Sequence, residues 1–140
     1  MTHPLSPCLW FDGQAKAAAA HYCAIFENSR IIAENPMVVI FELNGTRFMA
    51  LNGGPQYKFS PANSYVVTCD TQEEIDHYWE RLGEGGKYNA CGWLDDQYGV
   101  SWQVVPSILA ELMNDPEKAP KALDAMMQMS KFEINALLNA

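Results

Sequence analysis

The sequence contains the same order of predicted elements twice, with the two copies about 55 residues apart. Each copy consists of a strand, an amphipathic helix and a hairpin of strands. The first copy covers about residues 1–55, a linker covers 56–63, and the second copy covers about 64–106. A repeat constrains the architecture strongly, because each copy must bury its apolar face in the same way. We therefore predict an α+β fold in which two βαβββ modules form a single domain with C-terminal helices.

The first module is defined by an apolar stripe and a turn. Residues at helical spacing predict a helix over 14–26. The stripe consists of Ala15, Ala18, Ala19, Tyr22 and Phe26. Asn44 and Gly45 form the strongest short hairpin signal in the chain. Strands are predicted over 3–11, 30–33, 37–43 and 46–52.

The second module begins with a predicted strand over residues 64–69. Thr71 and Glu74 have the spacing of a capping box, which predicts a helix that continues to about Leu82. Strands over 88–93 and 100–105 follow, with a turn at 95–99 between them. Asp95 and Asp96 could form a catalytic carboxylate pair, but their place beside Tyr98 and Gly99 favours a role in the turn.

Residues 107–140 depart from the repeat and form a tail of predicted helices. The helices cover 106–113, 116–129 and 132–138, and Asp115 followed by Pro116 is typical of the start of the second one. The tail is rich in methionine, which gives it an adaptable apolar surface. It is interpreted as a packed flank or as an element docked on a partner subunit. A lid over a pocket is the alternative.

The charge balance limits the possible partners. The chain has 17 acidic and 9 basic residues and a net charge of −8, so it has no basic footprint for nucleic acid or for an anionic membrane. A neutral or cationic ligand remains possible. No apolar run approaches the roughly 20 residues that span a bilayer. The four cysteines lack any C-x-x-C pair, which predicts free thiols and a cytoplasmic location.

Three segments of the chain resemble the PhnB-like family, which is also labelled "3-demethylubiquinone-9 3-methyltransferase". They are residues 7–13 (PCLWFDG), 48–55 (FMALNGGP) and 91–106 (CGWLDDQYGVSWQVVP). This family is similar to the glyoxalase, bleomycin-resistance and dioxygenase proteins of the vicinal-oxygen-chelate superfamily. The resemblance extends over essentially the whole chain, tail included. It implies a cupped mixed sheet from each module and a homodimer. The loop at 33–36 is shorter than is usual in the family.

The metal-dependent relatives carry their ligands on the first and last strand of each module. The resemblance places these positions at Pro7 or Cys8, Ala50, Ser64 and Gln103, and only Gln103 is a plausible donor. We therefore expect no metal and no cofactor. A methyltransferase would need a glycine-rich turn that leads into a helix. Residues 52–55 (NGGP) instead lead into a proline-bearing linker, so these glycines are interpreted as turn residues.

A pocket lined by polar and aromatic side chains remains as the predicted site. Strand alternation places Ser101 with Gln103, Phe48 with Asn52, and Cys8 with Trp10. The predicted ligand-binding residues are Cys8, Trp10, Phe48, Asn52, Ser64, Trp93, Ser101 and Gln103. For the tryptophans the competing interpretation is a core role, and for the cysteine it is an inert buried thiol. No catalytic residue is assigned, because the strand faces chosen for the pocket carry no His, Glu or Asp.

The leading functional hypothesis is a metal-free protein that binds a small organic molecule in this cupped pocket. The first alternative is an enzyme of the superfamily: a lyase, an isomerase, a dioxygenase or a methyltransferase acting on a quinone. The second is an interaction module whose cup is filled by its own aromatic side chains and its tail. The sequence leaves open whether any reaction is catalysed.

Overall fold

The structure is a computed structural model that describes residues 2–140. Within them the fold is α+β, as predicted. The elements are β1 (Cys8–Phe11), α1 (Ala15–Ile25), β2 (Arg30–Glu34), β3 (Val38–Leu43), β4 (Thr46–Asn52), β5 (Ser64–Cys69), α2 (Gln72–Gly83), β6 (Lys87–Tyr88), β7 (Trp93–Asp95), β8 (Ser101–Pro106), α3 (Ile108–Asn114), α4 (Ala119–Met127) and α5 (Ile134–Leu138). They belong to two compact units, one ending at Phe59 and the other covering Ser60–Ala140.

The first unit is a four-stranded mixed sheet in the order β1-β4-β3-β2, with β1 parallel to β4 and the other pairs antiparallel. Helix α1 packs on one face, where Tyr22 stacks on Phe41 and Phe41 stacks on Phe48. The predicted hairpin is confirmed at Asn44 and Gly45, whose φ angles of 51° and 84° suit a primed turn. We call the side of a sheet that is turned away from its helix the far face.

The second unit repeats this topology in the order β5-β8-β7-β6, again with the first and last strands of the module parallel. Its buried face carries Val67, Leu94 and Val104, and it is covered by α2. The predicted capping box is confirmed: the Thr71 hydroxyl accepts from the Glu74 N–H, and the Glu74 carboxylate accepts from the Thr71 N–H. This reciprocal pair satisfies two helix donors and fixes where α2 begins.

The prediction of one strand over residues 88–93 is wrong, because the chain turns sharply between β6 and β7. Cys91 and Gly92 have φ angles of 58° and 79°, which a strand cannot contain. A Cβ atom on Gly92 would lie 2.5 Å from the Phe132 ring and 2.6 Å from the Val104 carbonyl oxygen. Glycine is therefore required here both for its backbone conformation and for close packing.

The tail packs on its own unit through backbone hydrogen bonds. The Cys91 N–H donates to the Met129 oxygen at 2.9 Å, and the Gly92 N–H donates to the Ser130 oxygen at 2.8 Å. These contacts favour the packed-flank interpretation of the tail. Helix α4 begins at Ala119 rather than near Pro116, after a turn over 116–118. The Asp115 carboxylate caps this turn, because it accepts from the N–H groups of Glu117 and Lys118.

The tail is also attached to α2 by side chains. The Gln72 amide donates to the Phe132 oxygen at 2.9 Å and accepts from the Ile134 N–H at 2.8 Å. One residue before Phe132, the Lys131 ammonium lies 2.9 Å from the Asp76 carboxylate. The hydrogen bond from Gln72, followed by the one from Lys131, lowers the pKa of Asp76. The ionised form of Asp76 is thus the one that the folded chain favours.

We expect acid to weaken this attachment. A carboxyl whose pKa is lower in the folded than in the unfolded state stabilises the fold above its unfolded pKa, and this contribution is lost as the pH falls through the folded value. The wild-type chain should lose free energy of unfolding when the pH falls from about 6 to about 3. In Lys131→Met, which lacks the cation, this loss should be smaller by about half a kcal/mol, because the ion pair is partly exposed. Urea unfolding at both pH values measures it. Lys118→Met, an exposed tail lysine, is the control, and an equal effect there would contradict this role of Lys131.

Candidate functional site

Four of the predicted site residues come together on the far face of the second sheet. Ser101 and Gln103 share this face of β8, and Ser64 of β5 and Trp93 of β7 are their cross-strand neighbours. Trp93 and Gln103 are directly opposite each other in the antiparallel register. Strand alternation predicted that Ser101 and Gln103 share a face, whereas the places of Ser64 and Trp93 beside them follow from the strand register.

Two side-chain hydrogen bonds order the cluster. The Gln103 amide donates to the Ser64 hydroxyl at 3.0 Å, and the Ser101 hydroxyl donates to the Asp95 carboxylate at 2.7 Å. Ser101 is buried, whereas Asp95, Trp93 and Gln103 are partly exposed. Polar groups held by their neighbours present fixed donors and acceptors to a ligand, which lowers the entropic cost of binding.

Asp95 lies beside this cluster, although it was not among the predicted site residues. It lies in β7 on the same face as Trp93, because residues two apart in a strand point the same way. Asp96 points to the opposite side and performs the turn role that was predicted for both residues. Its carboxylate accepts from the N–H groups of Tyr98 and Val100 and from the Trp102 indole at 2.9 Å.

On the far face of the first sheet, Cys8 and Trp10 lie beside Met49 and Leu51. The Trp10 indole donates to the Gly54 oxygen at 2.8 Å and meets the Tyr57 ring edge-on at 5.0 Å. A Cβ on residue 53 would collide with the indole. Gly53 therefore leaves room for the Trp10 ring, and the Gly54 oxygen holds it by the hydrogen bond. This agrees with the interpretation of the glycines as turn residues.

The Cys8 residue is exposed, yet desolvation of its thiol still raises the pKa above the usual value. Deprotonation, and with it nucleophilic reactivity at neutral pH, is therefore disfavoured. This agrees with the interpretation of Cys8 as an inert thiol rather than as a nucleophile, but the expectation that the thiol is buried is wrong. Because the Cys8 side chain lies on the far face, it can contact a ligand without reacting with it.

The predicted orientation of Phe48 and Asn52 is wrong. Phe48 is buried against Phe41 on the face that α1 covers. The Asn52 amide oxygen accepts from the Ala15 N–H at 2.9 Å, and its NH₂ donates to the Pro36 oxygen at 3.0 Å. Strand alternation was applied with the wrong parity on β4, and a shift of one residue exchanges the two faces. Met49 and Leu51 occupy the far face instead.

Asn52 does line a small cavity, but on the helix side of the first sheet. The cavity has a volume of about 340 Å³ and is bounded by the short loop at 34–36 and the start of α1. Lys16 and Glu34 form an ion pair of 3.2 Å at its edge. The amide of Asn52 is already engaged with the backbone at both ends, so its role here is to hold the loop against the helix.

Carboxylates do lie on the far faces, but on strands that were not assigned to the pocket. Asp95 lies on the far face of the second sheet and Glu42 on that of the first. Glu42 lies between Arg30, at 3.6 Å, and Arg47, at 4.0 Å, which are its cross-strand neighbours. Glu42 is thus neutralised by two cations, whereas the Asp95 carboxylate accepts a hydrogen bond from the uncharged Ser101 hydroxyl.

The ligand positions of metal-dependent relatives hold poor donors in this chain. Ala50 has no donor atom, and the Ser64 hydroxyl is hydrogen-bonded to the Gln103 amide. The Gln103 amide and the Cys8 thiol are too few donors for a site of the zinc type, which takes three or four imidazole, carboxylate or thiolate ligands. Within residues 2–140 no three or more His, Cys, Asp or Glu side chains are grouped so that they could hold a metal ion.

Two open four-stranded sheets of the same topology, each with a helix on one side, form a glyoxalase-like fold. The family model described as "3-demethylubiquinone-9 3-methyltransferase" matches residues 3–105. The chain belongs to this PhnB-like family. The matched residues end before the tail, so the expectation that the resemblance includes the tail was too broad.

Solved structures support the same assignment. The PhnB protein of Bacillus cereus is 31% identical with a TM-score of 0.69, and the match covers 75% of this chain and 100% of that one. Protein PA1353 of Pseudomonas aeruginosa is 18% identical with a TM-score of 0.62 and coverage of 75% and 98%. The fosfomycin resistance protein FosX of Listeria monocytogenes is 14% identical with a TM-score of 0.54 and coverage of 74% and 90%. The last two share the fold alone.

Two further findings bear on the class of protein. Among curated proteins, none is similar enough to this sequence to count as a match. Across residues 2–140, every helix is too short or too polar to cross a membrane.

Proposed function

We propose that this protein binds a small organic molecule, neutral or cationic, on the far face of the second sheet, without the help of a metal ion. The observation that carries the proposal is the row formed by Asp95, Ser101, Gln103 and Ser64 beside the partly exposed Trp93 ring. Such a combination of an aromatic surface with a few fixed polar groups is typical of small-molecule sites.

The chemistry of the row indicates the class of ligand. The indole of Trp93 offers a flat surface for an aromatic ring or, through its π face, for a cation. Asp95 provides a negative charge next to it, and the net charge of −8 attracts cations over a longer distance. Gln103 and Ser64 add an amide and a hydroxyl that can bond a carbonyl, a hydroxyl or an amine.

The proposal is tested by replacing Asp95 with asparagine, which keeps the shape and removes the charge. Ligand-observed NMR on matched sets of neutral, cationic and anionic aromatic compounds identifies binders to the wild-type chain. We expect Asp95→Asn to weaken a cationic binder about tenfold or more and to leave neutral binders nearly unchanged. Gln103→Leu should weaken both kinds.

The matched control is Glu42→Gln, which removes a carboxylate from the far face of the first sheet. It should leave both kinds of binder unaffected, because Glu42 is paired with two arginines. If binding persists in Asp95→Asn and Gln103→Leu but is lost in Glu42→Gln, the ligand site lies on the first sheet and the proposal is wrong.

The alternative function, an enzyme of the superfamily, gains one observation from the structure. Catalysis of proton transfer needs a general base, and the Asp95 carboxylate is partly exposed on the far face, with a hydroxyl 2.7 Å away. Lyase or isomerase chemistry that uses Asp95 as the base is therefore the second candidate. A turnover assay on the compounds that bind would favour it if Asp95→Asn retained binding of a neutral substrate and abolished its conversion.

We further propose that the protein is a cytoplasmic homodimer. Met37, Tyr57 and Val66 are large apolar residues exposed over more than half of their surface, which suits burial by a second copy. The four cysteines are free, which suits a reducing compartment. Native mass spectrometry should give twice the chain mass without added metal. A mass excess of one divalent metal ion per chain would contradict metal-free binding.

A further inference from the structure

The methionine-rich tail meets the sharp turn at Cys91 through sulfur, and this contact is independent of the function proposed above. The Cys91 Sγ atom lies 3.9 Å from the Met127 Sδ atom and 3.6 Å from the Met126 carbonyl oxygen. We propose that Cys91 and Met127 form a binding site for a soft monovalent cation, Cu(I) or its analogue Ag(I). The two ligands would be a thiolate and a thioether.

The distance between the two sulfur atoms suits a shared metal ion. With metal–sulfur bonds of about 2.3 Å, the value for zinc thiolates, sulfurs 3.9 Å apart subtend an angle of about 115° at the metal. This angle suits a three- or four-coordinate ion whose remaining positions are filled from solvent. Linear coordination by the two sulfurs alone would need them about 4.6 Å apart, a small movement for the exposed Met127 side chain. No rearrangement of the backbone is needed to place an ion between them.

The donor types select the ion. Thiolate and thioether are soft ligands that favour Cu(I), whereas divalent hard ions prefer oxygen donors. Binding replaces the thiol proton of Cys91 by the metal and releases that proton to solvent, with no change of oxidation state. Met129 belongs to the same segment, because its carbonyl oxygen accepts from the Cys91 N–H at 2.9 Å.

The site is accessible and held in place. Met127 is 61% exposed, so an ion can reach the sulfur from solvent. Cys91 is fixed at a φ of 58° by the hydrogen bonds that residues 91 and 92 make to the tail. These hydrogen bonds fix the backbone from which the Cys91 thiol projects, and therefore the distance between its Cβ atom and the tail.

The experiment is an anaerobic titration of the full chain with Cu(I), in competition with a chromophoric Cu(I) chelator. The wild-type chain should take up one equivalent in this site. Met127→Leu keeps the apolar volume of an exposed side chain and removes only the sulfur, so the fold is retained, and circular dichroism checks this. We expect it to lower the affinity of that equivalent about tenfold or more. Cys91→Ser should abolish it.

Two control variants separate this site from ordinary thiol binding. Met37→Leu removes an equally exposed thioether from the first unit, and Cys8→Ser removes an exposed thiol there. Both should bind as the wild type does. In methionine methyl NMR with Ag(I), the Met127 signal should shift and the Met37 signal should stay. No uptake by the wild type, or uptake that is lost in Cys8→Ser and kept in Met127→Leu, would overturn the proposal.

Discussion

Gly92→Ala should lower the free energy of unfolding by about 3 kcal/mol. The substitution has two costs, because the residue has a φ of 79° and its Cβ would lie 2.6 Å from the Val104 carbonyl oxygen. The left-handed conformation costs a residue with a side chain about 1–2 kcal/mol, and overpacking adds about 1–3 kcal/mol. Urea unfolding followed by circular dichroism measures the total.

Gly13→Ala is the matched control for this prediction. Gly13 has a nearly identical φ of 80°, but nothing lies within 4 Å of the Cβ position. It should therefore lose only the free energy that the left-handed conformation costs, about 1–2 kcal/mol. Equal losses in the two variants would mean that the contact of Gly92 with Phe132 and Val104 contributes nothing.

The second large effect is expected at Asp96. Its carboxylate is almost fully buried and accepts three hydrogen bonds, from the N–H groups of Tyr98 and Val100 and from the indole of Trp102. Asp96→Ala leaves these donors without that acceptor in a site closed to water, which should cost about 3 kcal/mol of unfolding free energy. Thermal unfolding of the variant and the wild type at one pH measures it.

The neighbouring carboxylate is the control. Asp95→Ala loses one hydrogen bond at the partly exposed far face, so the expected loss is about 1 kcal/mol. The order of the two effects is the test. If Asp95→Ala were the more destabilising variant, the division of the pair into a ligand-facing and a structural residue would be incorrect.

Much of the fold could be predicted from sequence because local rules decide it. The bounds of β4 and β5 agree with the predicted 46–52 and 64–69, and the turn at Asn44 and the capping box at Thr71 were confirmed. These features depend on residues close together in the chain. The break at Cys91 could not be predicted in this way, because it depends on the tail about 40 residues further on.

Only part of the candidate site could be predicted from the sequence, because the covered face of a sheet also depends on contacts between residues far apart in the chain. Alternation determines which residues of a strand share a face, but it does not determine which face a helix covers. On β8 the prediction placed Gln103 on the far face, and Ser101, two residues away, was therefore placed on the same face. On β4 the same argument began from Ala50, which lies under α1, so Phe48 and Asn52 were placed on the wrong side. Asp95 was missed because it was assigned to a turn and not to the end of β7.

In the second sheet, the candidate site lies on the far face and the core lies on the face under α2. This separation has a consequence for protein engineering. Side chains on the far face can be exchanged without repacking the residues under α2, since each strand sends alternate residues to opposite sides. A combinatorial library at positions 66, 93, 95, 103 and 105 should therefore yield mostly folded variants with altered ligand preference. Randomising 94, 96, 102 and 104, each only one residue away, should yield mostly insoluble chains. One scaffold could in this way be evolved towards many ligands while its interior stays constant.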